Sequence, residues 1–130
     1  MENKCYSHST VVTDAMTAKA LGSGGIEVLS TPYMIAMMEG AAVGCVADLL
    51  PEGKTTVGVE ISVKHLTATP VGMKMTAYAE LTGQEGRSMT FRIWAEDECG
   101  LIGEGTHTRA MVDEERFLQK IYAKGTPNAQ

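Results

Sequence analysis

The sequence predicts an α+β fold in which a five-stranded antiparallel sheet wraps around one long central helix. Three observations lead there. The stretch STPYMIAMMEGAAVGCVADLL, residues 30–50, is apolar on nearly every side, and its only charge before Asp48 is Glu39. Three later stretches alternate apolar and polar residues with the period of two that marks half-buried strands, and a fourth, softened by glycine, continues the series. Short turn signals such as GQEGRS and DECG separate them. At 130 residues the chain suits a single domain, 1–130, with one core.

Each element has its own justification. SHSTVVTD, residues 7–14, is enriched in Thr and Val and reads as a first strand. Residues 16–20 suit a short helical turn. LGSGGIEVLS follows, and its glycines Gly22, Gly24 and Gly25 mark a loop. The long helix begins with Ser30 or Thr31 as N-cap and Pro32 in the first turn, where a missing N–H costs nothing. A helix that is apolar all round is enclosed rather than amphipathic. PEG, residues 51–53, ends it.

In TTVGVEISVKHLTAT, Val57, Val59, Ile61 and Val63 share one parity and point to the covered face. His65 has the same parity and therefore meets the helix side. In MKMTAYAEL the inward set is Met73, Met75, Ala77, Ala79 and Leu81. In MTFRIWAED it is Met89, Phe91, Ile93 and Ala95. LIGEGTHTRAMV is a last strand whose parity Gly103 and Gly105 obscure. DEERFLQKIYAKG reads as a short surface helix, with a frayed end at TPNAQ. A sheet with one face on a helix still has open edges. A second copy is expected on one of them.

Composition excludes several classes of function. The net charge is -5 and no stretch of sequence clusters Lys and Arg, which argues against a nucleic-acid partner. No apolar run is long enough for a bilayer, and MENKCYSHST has no hydrophobic signal core, so a cytoplasmic location is expected. Cys5, Cys45 and Cys99 form no zinc-like spacing, and Cys45 reads as a core residue. His8, His65 and His107 are isolated in sequence. No metal and no retained cofactor are expected.

The chemistry centres on Glu39. An ionised carboxylate in an enclosed helix costs several kcal/mol unless it is paired. Thr31 opens the helix and His65 enters from the neighbouring strand. Thr31 and Glu39 are eight positions apart, about 12 Å along the axis and about 80° apart around it. One chain's pair therefore does not make a tight site. A carboxylate and an imidazole near a helix N-terminus suit acyl transfer, with Glu39 as general base or nucleophile. The simpler readings are that Thr31 is a cap, His65 a satisfied core group and Gly103–His107 a structural stretch.

STPYMIAMMEGA, VKHLTATPVGM and GEGTHTRAMV together resemble the hot-dog-fold thioesterases of the fluoroacetyl-CoA thioesterase type. The shared pattern is a Thr opening the helix, a Glu eight residues on, a strand ending in His before x-x-A-T-P-x-G, and a last strand with G-x-G-T-H-x-R. The resemblance implies a hot-dog fold and a homodimer, or a tetramer built from it, with sites at the interface. It also implies hydrolysis of a small acyl-CoA thioester, with Thr31, Glu39 and His65 catalytic and coenzyme A part of the substrate. GSGGIEVLS lacks the aromatic residues that precede the helix in the name-giving member, so the acyl group stays open. Two other readings compete: a non-catalytic acyl-CoA binding or sensing module, and an enoyl-CoA hydratase of the same fold, whose close Asp–His pair is missing here.

Overall fold

A computed structural model describes residues 3–125, so the end expected at TPNAQ lies outside the described residues. The chain runs β1 (Cys5–Val11), α1 (Ala18–Leu21), α2 (Thr31–Val46), β2 (Lys54–His65), β3 (Lys74–Glu85), β4 (Ser88–Asp97), β5 (Gly100–Asp113) and α3 (Glu114–Tyr122). The strands form one sheet in the order β1-β3-β4-β5-β2, and each neighbouring pair is antiparallel. This is the expected α+β arrangement, with β1 and β2 at the two edges. Among the described residues no helix is long and apolar enough to cross a membrane.

The core lies between α2 and the sheet. Met34, Met38, Ala41, Ala42, Cys45 and Val46 of α2 are fully covered. They meet Met75, Ala77 and Ala79 of β3 and Met89, Phe91, Ile93 and Ala95 of β4, the parities expected from the sequence. Burying side chains of this size stabilises the fold by roughly 1.5–3 kcal/mol each before the entropy of ordering them is counted. Helix and sheet approach closely where α2 carries glycine. A Cβ at Gly44 would strike the Tyr6 ring, and one at Gly40 would come 3.0 Å from His8 Cε1.

Two expectations need correction. Val59 is 63% exposed, not inward. The register between β2 and β5 shifts between Gly58 and Glu60, so Val59 is the extra residue of a bulge. Thr56 is covered before the bulge, and Ile61, Val63 and His65 are partly covered after it. Val57, next to Thr56 and opposite Ala110, points to the other face, beside α3, so the expected inward set holds only from Ile61 onward. Second, α2 is not enclosed on all sides. Pro32, Ala36 and Val43 are exposed, and Ile35, Glu39 and Gly40 are half-buried. They form a stripe at helical spacing, because five strands cover only part of the helix's circumference.

Candidate active site

Thr31 and His65 meet in one chain. Ser30, not Thr31, caps α2: its hydroxyl accepts from the Tyr33 amide at 3.1 Å. Pro32 follows in the first turn. Thr31 is thereby relieved of capping, and its Oγ1 lies 2.7 Å from His65 Nδ1. His65 is the last residue of β2 and stands on the helix side, as its parity indicates. Its Nε2 is buried and, among the described residues, has no partner in hydrogen-bonding geometry. Burial lowers the imidazole pKa, and the Thr67 backbone opposes that fall. At neutral pH the ring is therefore uncharged.

Glu39 lies elsewhere. Its side chain is 41% exposed on the open stripe of α2, and its Oε2 is 3.7 Å from Arg109 Nη1. The expectation that Glu39 has a partner holds, but the partner is an arginine of β5, and the acid is half-buried rather than enclosed. Arg109 itself is 7% exposed. Its Nε–H donates to Thr56 Oγ1 at 2.9 Å and its Nη2–H to the Thr56 carbonyl at 3.1 Å. Its Nη1–H donates to His107 Nε2 at 3.2 Å. His107 Nδ1 lies 2.7 Å from the Glu60 carbonyl, an oxygen that only accepts, so Nδ1 carries the hydrogen and Nε2 is the acceptor. Burial lowers the His107 pKa, Arg109 adds to the fall, and the Glu60 carbonyl and Glu39 oppose it. Gly58 completes the cluster: a Cβ there would come 3.1 Å from Glu39 Oε2 and 3.4 Å from Arg109 Nη1.

The structure thus assembles two polar groups, Thr31 with His65 and Glu39 with Arg109, His107 and Gly58. Sequence reasoning singled out the first pair and Glu39 but assigned no role to Arg109, His107 or Gly58. A signal existed, since His107 and Arg109 are two apart and share a face of β5. It became readable only once the register placed Gly58 opposite Arg109 and Ile61 opposite His107. Gly103 and Gly105 are structural, as expected. A Cβ at Gly103 would come 2.8 Å from Met34, and one at Gly105 would strike the Ser62 carbonyl. Among the described residues, no group of three or more His, Cys, Asp or Glu could hold a metal.

The family model for the fluoroacetyl-CoA-specific thioesterase matches residues 12–115. The chain belongs to the fluoroacetyl-CoA-specific thioesterase family. A member of this family, the fluoroacetyl-CoA thioesterase of Streptantibioticus cattleyicolor, is 41% identical over 98 residues, 75% of this chain and 70% of that protein. A mutant of the fluoroacetyl-CoA-specific thioesterase FlK, solved with fluoroacetate and CoA, superposes with a TM-score of 0.88 at 35% identity. That match covers 93% of this chain and 99% of FlK. A hot-dog-like protein from Thermanaerovibrio acidaminovorans shares the fold alone, at 22% identity and a TM-score of 0.87 over 96% of this chain and 93% of that one. The fold is therefore the hot-dog fold, and family membership carries the enzyme class, a thioester hydrolase.

Proposed function

We propose that this enzyme hydrolyses a small acyl-CoA thioester to the free acid and coenzyme A, using Thr31, Glu39 and His65 at sites formed between two copies of the chain. The observation that carries the reading is the 2.7 Å contact of Thr31 Oγ1 with His65 Nδ1 beside a helix N-terminus that another residue already caps. A hydroxyl held on an uncharged imidazole, next to the positive end of a helix, is suited to an acyl carbonyl. Relatives acting on fluoroacetyl-CoA supply the substrate class.

Two features support a homodimer. β2 is an edge strand, and the open stripe of α2 places Glu39 among apolar neighbours. Antiparallel pairing of two β2 edges brings the Gly58 segment of one chain, with its Glu39–Arg109 pair, towards the His65 end of the other. The separation of Thr31 from Glu39 within one chain is then no obstacle.

In this reading His65 Nδ1–H donates to Thr31 Oγ1, and the Thr31 hydroxyl hydrogen turns to the thioester oxygen. Glu39 takes a proton from a water molecule whose oxygen adds to the carbonyl carbon. The C–S bond then breaks, and the leaving thiolate takes up the proton that Glu39 received. Arg109 holds the carboxylate in place throughout. The test is thiol release from a panel of short acyl-CoAs. Glu39→Gln, His65→Ala and Thr31→Ala should each lower kcat by about 100-fold or more. Thr31→Ala should barely change the melting temperature, because Ser30 does the capping. Equal rates in all four proteins would refute the assigned chemistry. Tight CoA-ester binding in calorimetry without turnover would mark a binding module instead.

A further inference from the structure

The fold gathers a charge cluster that no stretch of sequence shows. A groove of about 990 Å³ lies between α3, the adjoining ends of β2 and β5, and the β3–β4 turn. Lys54, Arg87, Arg116, Lys120 and Lys124 line it, and Asp113 is the one acid among the lining residues. Asp113 is also shared with Lys54, at 3.9 Å. Five of the chain's eleven Lys and Arg residues thus face one groove. On a chain of net charge -5, such a concentration makes a local attractive field for anions. Phe117, Ile121 and Val57 add apolar wall beside the cations.

We propose that this groove binds the phosphate-bearing adenosine end of the coenzyme A thioester. The proposal rests on the thioesterase reading above and locates the part of the substrate remote from the reacting carbonyl. That end carries a 3′-phosphate and a pyrophosphate, which match a multiply basic groove, and an adenine, which matches its apolar wall. The volume suits a nucleotide. The placement follows from the same edge pairing. Within one chain, Lys54 and His65 stand at opposite ends of β2, eleven residues and about 36 Å apart. Antiparallel pairing of two β2 edges sets the Lys54 end of one chain beside the His65 end of the other. Each groove then borders the partner's Thr31–His65 site, and the flexible pantetheine arm rounds the strand end between them. The groove adds binding energy in ground and transition states alike, so it governs KM rather than kcat.

The experiment compares one acyl group, the fastest of the panel, carried on coenzyme A, on 3′-dephospho-coenzyme A and on pantetheine. The proteins are wild type, Arg116→Glu/Lys120→Glu on α3, and Arg87→Glu in the β3–β4 turn, which leaves α3 untouched. For the coenzyme A ester, both variants should raise KM by about ten-fold at low salt with kcat unchanged, and added salt should narrow the gap. For the pantetheine ester they should change neither constant, which also shows that the variants fold. Dephosphorylation should cost wild type more than it costs the variants. Equal KM values for the coenzyme A ester in all three proteins would overturn the groove and leave the thioesterase reading standing. If no ester is hydrolysed on any carrier, the thioesterase reading fails. Calorimetry with adenosine 3′,5′-bisphosphate then decides the groove, binding lost in the variants supporting it and no binding to wild type refuting it. A short oligonucleotide that binds wild type more tightly than the bisphosphate would also overturn the assignment.

Discussion

His107 shows how much a single tautomer can determine. Its Nδ1–H is committed to the Glu60 carbonyl, so its Nε2 must accept from Arg109, and Arg109 in turn faces Glu39. Protonation of His107 would place two cations 3.2 Å apart and remove that acceptor. His107→Leu strands a buried Arg109 N–H, a loss of about 1–3 kcal/mol. It should lower kcat by about ten-fold through a misplaced Glu39, whereas His107→Gln, which keeps an acceptor, should recover most of that rate. Desolvation holds the imidazole pKa values of half-buried His65 and buried His107 below the ordinary 6.5. As pH falls past 6.5 the unfolded chain takes up protons before the folded one, so stability is flat above that point and declines below it. Urea unfolding across pH should show this decline, and His107→Gln should make it shallower. Parity alone put His65 on the helix side, where it meets Thr31, because parity is a local property. Arg109 and His107 were hidden because their meaning depends on which β2 residue lies across the ladder.

The strands separate what periodicity can reveal from what it cannot. β3 and β4 lie inside the sheet, and their inward parity was readable directly from Met75, Ala77, Ala79, Phe91 and Ile93. β2 carries a bulge at Val59, and nothing local distinguishes that valine from its neighbours. An extra residue shows itself only against a partner strand. β5 was obscured for a different reason, since Gly103 and Gly105 have no side chain whose polarity could be read. Their absence of a Cβ serves packing. At Gly105 an added methyl would strike the Ser62 carbonyl of β2, and backbone in a paired ladder has little room to yield. Gly105→Ala should therefore cost about 1–3 kcal/mol, or more if the β2–β5 ladder opens. Gly25→Ala, where nothing among the described residues lies within 4 Å, should stay within about 0.5 kcal/mol of wild type. Chemical denaturation of the two variants checks the contrast. Equal midpoints would show that β5 relaxes around the methyl.

At the scale of the whole molecule, a helix apolar on every side sits in a fold that covers only part of it. That mismatch was present in residues 30–50 but read as complete enclosure, because the sequence does not say how many sheets share one helix. The uncovered stripe of Pro32, Ala36 and Val43 runs past Glu39, and β2 ends the sheet nearby with Val59 exposed. One isologous partner covering both would bury this surface and bring its own Thr31–His65 pair towards Glu39. Val43 is 45% exposed in the single chain, so a charge there need not disturb the fold of one protomer. Val43→Glu should shift the sedimentation mass from dimer to monomer, lower kcat/KM by about 100-fold and leave far-UV circular dichroism unchanged. Val11 is similarly exposed, at 52%, but lies on β1 at the opposite edge of the sheet. Val11→Glu should leave both mass and activity at wild-type values. If Val11→Glu instead breaks the dimer while Val43→Glu does not, β1 is the pairing edge and the site cannot join Glu39 of one chain to His65 of the other. A fully active Val43→Glu monomer would place the whole reaction within one chain.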